Sequence, residues 1–204
     1  SYNRNKRTIT LDIKAEEGQK IFKQLIEEYD IVLENYRPGV LNRLGLGFED
    51  LCKINPQLIM TSVSGFGQYG PYKNRQALDM AIQAMSGFMD VTGFPDGPPV
   101  KGGPVIADFV AALYGALGTV LAVYYREKTG MGQHVDIALL DCMFTLLENY
   151  PSIYLLTGEE TKRSGNGRPF SAPTDTYQAK DGYIHISAPS DNLYCRLMKL
   201  VGHQ

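Results

Sequence analysis

From Phe109 to Tyr125 the chain runs seventeen residues without a charge, and this run limits its possible folds more than any other feature. As a helix it would span about 25 Å, slightly short for a bilayer, and it is rich in Ala and Gly. No cluster of anchoring residues flanks it, and nothing before it reads as a signal sequence. The run is therefore read as a buried core helix rather than a membrane span. With 44% hydrophobic residues in a chain of 204, the remainder can supply the core of a soluble globular protein around it.

The segments before this run alternate strand and helix patterns. Arg7 to Ile13 interleaves β-branched and polar residues as a strand does, and Ile21, Phe22, Leu25 and Ile26 then share one helical face. Asp30 to Glu34 is a short apolar run followed by the loop NYRPG; Phe48 to Ile54 reads as a second helix and Leu58 to Val63 as a strand. The order β-α-β-α-β argues for a parallel sheet with helices on its faces, in which ligands collect at the carboxyl ends of the strands. A helix is then predicted from about Asp79 to Asp90, followed by a sixteen-residue loop with four glycines and four prolines, a length and composition more often functional than idle. The apolar helix is predicted from Asp108, a turn at Thr129 to Gly132, and another helix from about Ile137 to Thr157. Asp175 to Gln178 and Tyr183 to Ser187 read as a β-hairpin, and a last helix starts near Asp191 with Ser190 as its cap.

Three segments are candidates for chemistry. Gly65 to Gly70 has the form G-x-G-x-x-G after a predicted strand, but Pro71 to Arg75 continues as a polar loop where a dinucleotide fingerprint needs an apolar helix. A glycine turn that brings backbone near a ligand fits better than an NAD site. Asn35 to Gly39, with Arg43 beyond it, sets an amide, an aromatic ring and two guanidinium groups at a strand end, a set able to stack on a purine and pair with phosphates; a solvated turn punctuated by Pro38-Gly39 is the plain alternative. Asp108 lies between the Gly/Pro loop and the apolar helix. It reads either as an ordinary N-cap or as a carboxylate kept ionised by helix N-terminal amides beside a water-excluding helix.

Other chemistries find little support. His134, His185 and His203 are scattered without acids or cysteines at ligand spacing, so no metal is expected. Cys52, Cys142 and Cys195 are odd in number and far apart, which reads as free thiols in the cytoplasm. Twenty Lys and Arg against 22 Asp and Glu form no basic stripe, so nucleic acid is not an expected partner.

Four phrases, NRNKRTITLDIK, VLENYRPGVLNRLGLGFEDL, INPQLIMTSVSGFGQYGP and TGMGQHVDIALLD, resemble the family III CoA transferases (the CaiB/BaiF, formyl-CoA transferase-like family) across essentially the whole chain. The resemblance implies an α/β fold: a Rossmann-like parallel sheet with flanking helices over residues 1–160 and the start of a smaller α+β portion over 161–204, truncated at both ends. It assigns the nucleophile to Asp108 in PVIADFVAALYGALG, and contacts with CoA to Lys14, Asn35, Tyr36, Arg37, Arg43, Leu44, Arg75 and Gln76. Gln76 stands where some members carry a lysine, and Gly165-Asn166-Gly167 lies near the place of a mobile glycine loop without reproducing its run of glycines. It further implies no permanently bound cofactor, acyl-CoA and a carboxylic acid as substrates, and an interlocked homodimer with no membrane partner. An α-methylacyl-CoA racemase is the nearest alternative, but the His-Asp pair of such racemases is Leu78-Asp79 here; a non-catalytic CoA-binding fragment is the other.

Overall fold

The computed structural model describes residues 3–203. By contacts the chain forms two compact units, one of residues 1–82 with 105–143 and the other of 83–104 with 144–204. These units divide the chain elsewhere than at residue 160, because the Gly/Pro loop groups with the C-terminal residues.

The first unit is built on a parallel sheet of β1 (Ile31–Glu34), β2 (Ile59–Ser64) and β3 (His134–Ala138), in that spatial order. Ile31 pairs with Ile59 and Met60 with His134, so the three strands run in register toward their carboxyl ends. The central strand β2 is buried along nearly its whole length, as expected of a parallel strand covered on both faces. On one face α1 (Glu16–Glu28), the short helices α2 (Val40–Arg43) and α3 (Phe48–Leu51) and the turn between those two bring Ile26, Leu41, Leu51 and Leu46 against Leu58 and Met60. Glu16 and Glu17 place negative charge in the first turn of α1, where the helix dipole favours it.

The opposite face is covered by α5 (Ile106–Thr129), the predicted apolar helix, and here expectation and structure part. Only its small residues Ala107, Ala111, Gly115 and Ala122 are buried. They let the helix approach the strands closely: a Cβ on Gly118 would stand 2.9 Å from Val135 Cγ1, and Thr119 Oγ1 lies 2.7 Å from Thr61 Oγ1 on β2. The large residues face away, with Leu113 71% and Leu117 55% exposed, so this is not the fully buried core helix that the charge-free run implies. Hydropathy marked the helix correctly but could not tell which apolar residues would be covered.

Other differences are local. Arg7 to Ile13 forms no strand: the β-branched alternation is present, but a strand also needs a ladder partner, and no described residue pairs with it. The helix expected over Phe48 to Ile54 is confined to α3, with α2 ahead of it, and α4 (Asp79–Met85) stops short of Asp90. The long helix expected from Ile137 is instead β3, α6 (Leu139–Phe144), a 3-10 turn at Thr145–Leu147 and α7 (Tyr150–Thr157). It is broken at Glu148, where φ is 51°, and restarted with Pro151 in the first turn of α7. In the second unit β4 (Thr174–Gln178) and β5 (Tyr183–Ser187) form the predicted antiparallel hairpin, and Ser190 caps α8 (Asp191–Leu200) by accepting from the Leu193 N–H at 3.5 Å.

Candidate active site

The carboxyl ends of β1 and β2 open onto a recess of about 210 Å³. The loop leaving β1 contributes Asn35, Tyr36, Arg37 and Pro38, the end of β2 contributes Ser64 and Gly65, and the loop beyond the glycine turn contributes Lys73, Arg75 and Gln76. Arg37, Lys73 and Arg75 thus converge on one cavity that no acid among the described residues lines, an arrangement suited to a polyanion such as a chain of phosphates. The rim is preordered: the Tyr36 N–H donates to Glu34 Oε2 at 2.7 Å, and the Arg75 guanidinium stacks 4.0 Å from the Tyr72 ring centroid.

Asn35, Ser64, Gly65 and Ala77 also line a second, larger cleft of about 700 Å³ between the sheet and α5, so the two spaces share a wall. Ile31, Leu33, Val63, Ala112 and Ala116 make this cleft largely apolar, and Asp108 projects into it from α5. Among the described residues its only other ionisable lining residue is Glu34.

Asp108 is not an N-cap. The helix begins at Ile106 with Val105 in the capping position, which puts Asp108 third in the first turn. There the exposed amides of a helix start favour a carboxylate. Desolvation and, second to it, the neighbouring Asp79 carboxylate nevertheless hold Asp108 above the ordinary aspartate value. A carboxyl held in this way takes up a proton earlier than a free aspartate as the pH falls.

The predicted ligand residues divide into those the structure brings together and those it does not. Asn35, Tyr36, Arg37, Arg75 and Gln76 line the recess. Arg43 folds back beside Gly39, its Nη1 3.3 Å from where a Cβ on that glycine would lie, and Leu44 turns toward the hydrophobic core beneath α2. Lys14 lies in the turn before α1, its N–H bonded to Asp12 Oδ1 at 3.0 Å, and does not line the recess; the strand expected to carry it is not formed. Lys73 was missed. Its signal was available, since Lys73 and Arg75 occupy a loop following a strand end just as Arg37 does.

The glycine turn has a structural duty. Gly67 and Gly70 take φ of 81° and 87°, and the Gln68 N–H donates to Asp136 Oδ2 on β3 at 2.8 Å. No helix opens at Gly70; the next begins at Asp79, so the dinucleotide geometry is absent. His134 on β3 stacks on Phe48 and contacts Ser62 Oγ at 2.8 Å. Cys52, Cys142 and Cys195 form no disulfide, and burial, with Asp141 adding to it, pushes the Cys142 thiol up to about 11, which makes it a poor nucleophile.

Comparison with known proteins agrees with this architecture. The profile of CoA-transferase family III matches residues 1–204, and the chain belongs to that family. It is 43% identical over 200 residues to the succinyl-CoA–D-citramalate CoA-transferase of Chloroflexus aurantiacus, covering 98% of this chain and 50% of that protein. It is 41% identical to the acetyl-CoA:oxalate CoA-transferase of Acetobacter aceti, over 98% of this chain and 52% of that one. A CaiB/BaiF family protein from Brucella suis superposes with a TM-score of 0.85 at 44% identity, covering 97% of this chain and 52% of its own. The chain therefore spans about half the length of the relatives it matches.

Proposed function

We propose that the whole protein transfers coenzyme A from an acyl-CoA donor to a carboxylic acid, with Asp108 as the nucleophile. The observation that carries this reading is the shared wall between the cationic recess and the cleft that holds Asp108. A ligand with phosphates at one end and a thioester at the other can occupy both, its phosphates on Arg37, Lys73 and Arg75 and its reactive end beside the carboxylate. The Asp108 oxygen attacks the thioester carbonyl, giving an acyl-aspartyl anhydride and releasing CoA thiolate. The thiolate attacks the aspartyl carbonyl, which frees the donor acid and leaves an aspartyl-CoA thioester. The acceptor carboxylate then attacks that thioester, and the thiolate released takes the acceptor's acyl carbon, so that acyl-CoA leaves and the carboxylate is restored. Each step exchanges one acyl bond for another, which is how a covalent intermediate divides a difficult transfer. Several relatives are named for CoA transfer to different acids, which supports the reaction class without selecting an acid.

The whole protein is further proposed to be a cytoplasmic homodimer. Three cysteines that form no disulfide support the compartment, and the exposed apolar residues of α5 support a surface covered by additional polypeptide. Racemisation is disfavoured because Leu78 stands where the partner base is needed. The test is exchange of CoA between an acyl-CoA and a panel of acids by the whole protein, followed by chromatography of the CoA esters. New esters formed by wild type and not by Asp108→Asn support the proposal; equal exchange by both would sink it.

A further inference from the structure

We propose that Asp79 is a positioning residue for the nucleophile: it caps, from another helix, the helix that carries Asp108. The proposal rests on the reading of Asp108 as the attacking carboxylate. Helix α5 has no cap of its own, because the residue in the capping position is Val105, whose side chain has no acceptor. The Ala107 N–H, second in the helix, is fully buried, so water cannot satisfy it. Asp79 Oδ1 accepts it at 2.8 Å. This is the bond an N-cap aspartate would make, supplied by the first residue of α4 from 28 positions away in sequence.

The consequence for chemistry follows from adjacency. Ala107 directly precedes Asp108, so the bond fixes the backbone from which the nucleophile projects and sets where its oxygens meet a thioester carbonyl. Asp79 is itself only 9% exposed, and its charge also acts on Asp108, whose affinity for a proton it raises. The ionisable groups around Asp108 are Asp79 from α4 and Glu34, which lines the same cleft from the end of β1; no Lys, Arg or His among the described residues lines that cleft. Desolvation and the Asp79 charge both make the Asp108 carboxylate more basic, and so a stronger nucleophile once ionised.

The experiment measures CoA transfer against pH for the whole protein with Asp79→Asn and Asp79→Ala, alongside Asp108→Asn. Asparagine keeps an oxygen for the Ala107 N–H but removes the charge, so the acid limb of kcat/KM is expected to move to lower pH while acyl-CoA binding is unchanged. Alanine removes both, and kcat is expected to fall about 10- to 100-fold through misplacement of the carboxylate, again with acyl-CoA binding retained. Wild-type acid limbs and wild-type kcat in these variants would overturn the proposal. So would losses that follow acyl-CoA binding and thermal stability alone, since they would make Asp79 merely structural. If the alanine variant does not fold, the asparagine pH profile decides. Wild-type transfer by Asp108→Asn is a separate result, which removes the nucleophile reading beneath the proposal and not the capping contact.

Discussion

The two ends of the candidate active site are built on opposite principles. At the recess, Arg37, Lys73 and Arg75 come from loops, remain near solvent and point at a common space, so what they offer a ligand is charge. At the cleft, Asp108 sits on the first turn of a long helix that Asp79 anchors through a buried bond, so what that end offers is placement. Loops tolerate rearrangement and a capped helix does not. The difference implies that binding and reaction are separable: changes in the recess should act on KM, and changes around Asp108 on kcat.

Substitutions can break that comparison, and the strongest is Asp108→Asn. It removes the proposed nucleophile without removing a cation, so kcat for CoA transfer is expected to fall by about 10³-fold or more with acyl-CoA affinity retained, as judged by calorimetry. An equal loss of affinity would erase the distinction between the ends. Next come Arg37→Ala and Arg75→Ala. Each removes a charge-assisted contact, so KM for acyl-CoA is expected to rise about 10- to 100-fold with kcat little changed, and steady-state kinetics at two salt concentrations would show the defect shrinking as salt rises.

The pH dependence sharpens the same contrast. Because Asp108 is held above the ordinary aspartate value and must be ionised to attack, transfer should be lost as the pH falls through that raised value. Arg37, Lys73 and Arg75 line the recess and not the cleft that holds Asp108, so acyl-CoA binding should persist where turnover has already failed. Parallel pH titrations of binding and of turnover would check this.

Smaller effects are expected where α5 meets the sheet. Thr119 Oγ1 bonds the Gly115 carbonyl at 2.7 Å, which leaves Thr61 as the donor across the 2.7 Å hydroxyl pair. Thr119→Val would strand the fully buried Thr61 hydroxyl and cost about 1–3 kcal/mol in chemical denaturation. Gly118→Val should cost a similar amount, about 1–3 kcal/mol, by forcing side-chain atoms against Val135.

Part of the recess was legible in the sequence because its residues are local: Asn35, Tyr36 and Arg37 follow a strand end, and strand ends in a parallel sheet face the ligand, whereas Arg75 and Gln76 were marked only by the family resemblance. The cleft was legible only in part. The chain's most apolar helix after a Gly/Pro loop pointed to Asp108, yet composition alone also allowed an N-cap there, and the helix starts two residues earlier, at Ile106. Asp79 was visible only as the acid beside Leu78, since no local pattern encodes a bond to a backbone amide 28 residues away. Arg7 to Ile13 misled for the converse reason: alternation describes a side-chain pattern, while a strand exists only where a partner supplies the ladder. On α5, apolar character was plain but burial was not, because the residues that reach the sheet are the small ones.

The most direct test of the account is peptide mapping by mass spectrometry of the whole protein, trapped with hydroxylamine or borohydride after incubation with acyl-CoA. The account predicts a trapped product on the peptide containing Asp108, absent from Asp108→Asn. Rapid CoA transfer with no product on that peptide, or with a product on another carboxylate, would contradict it.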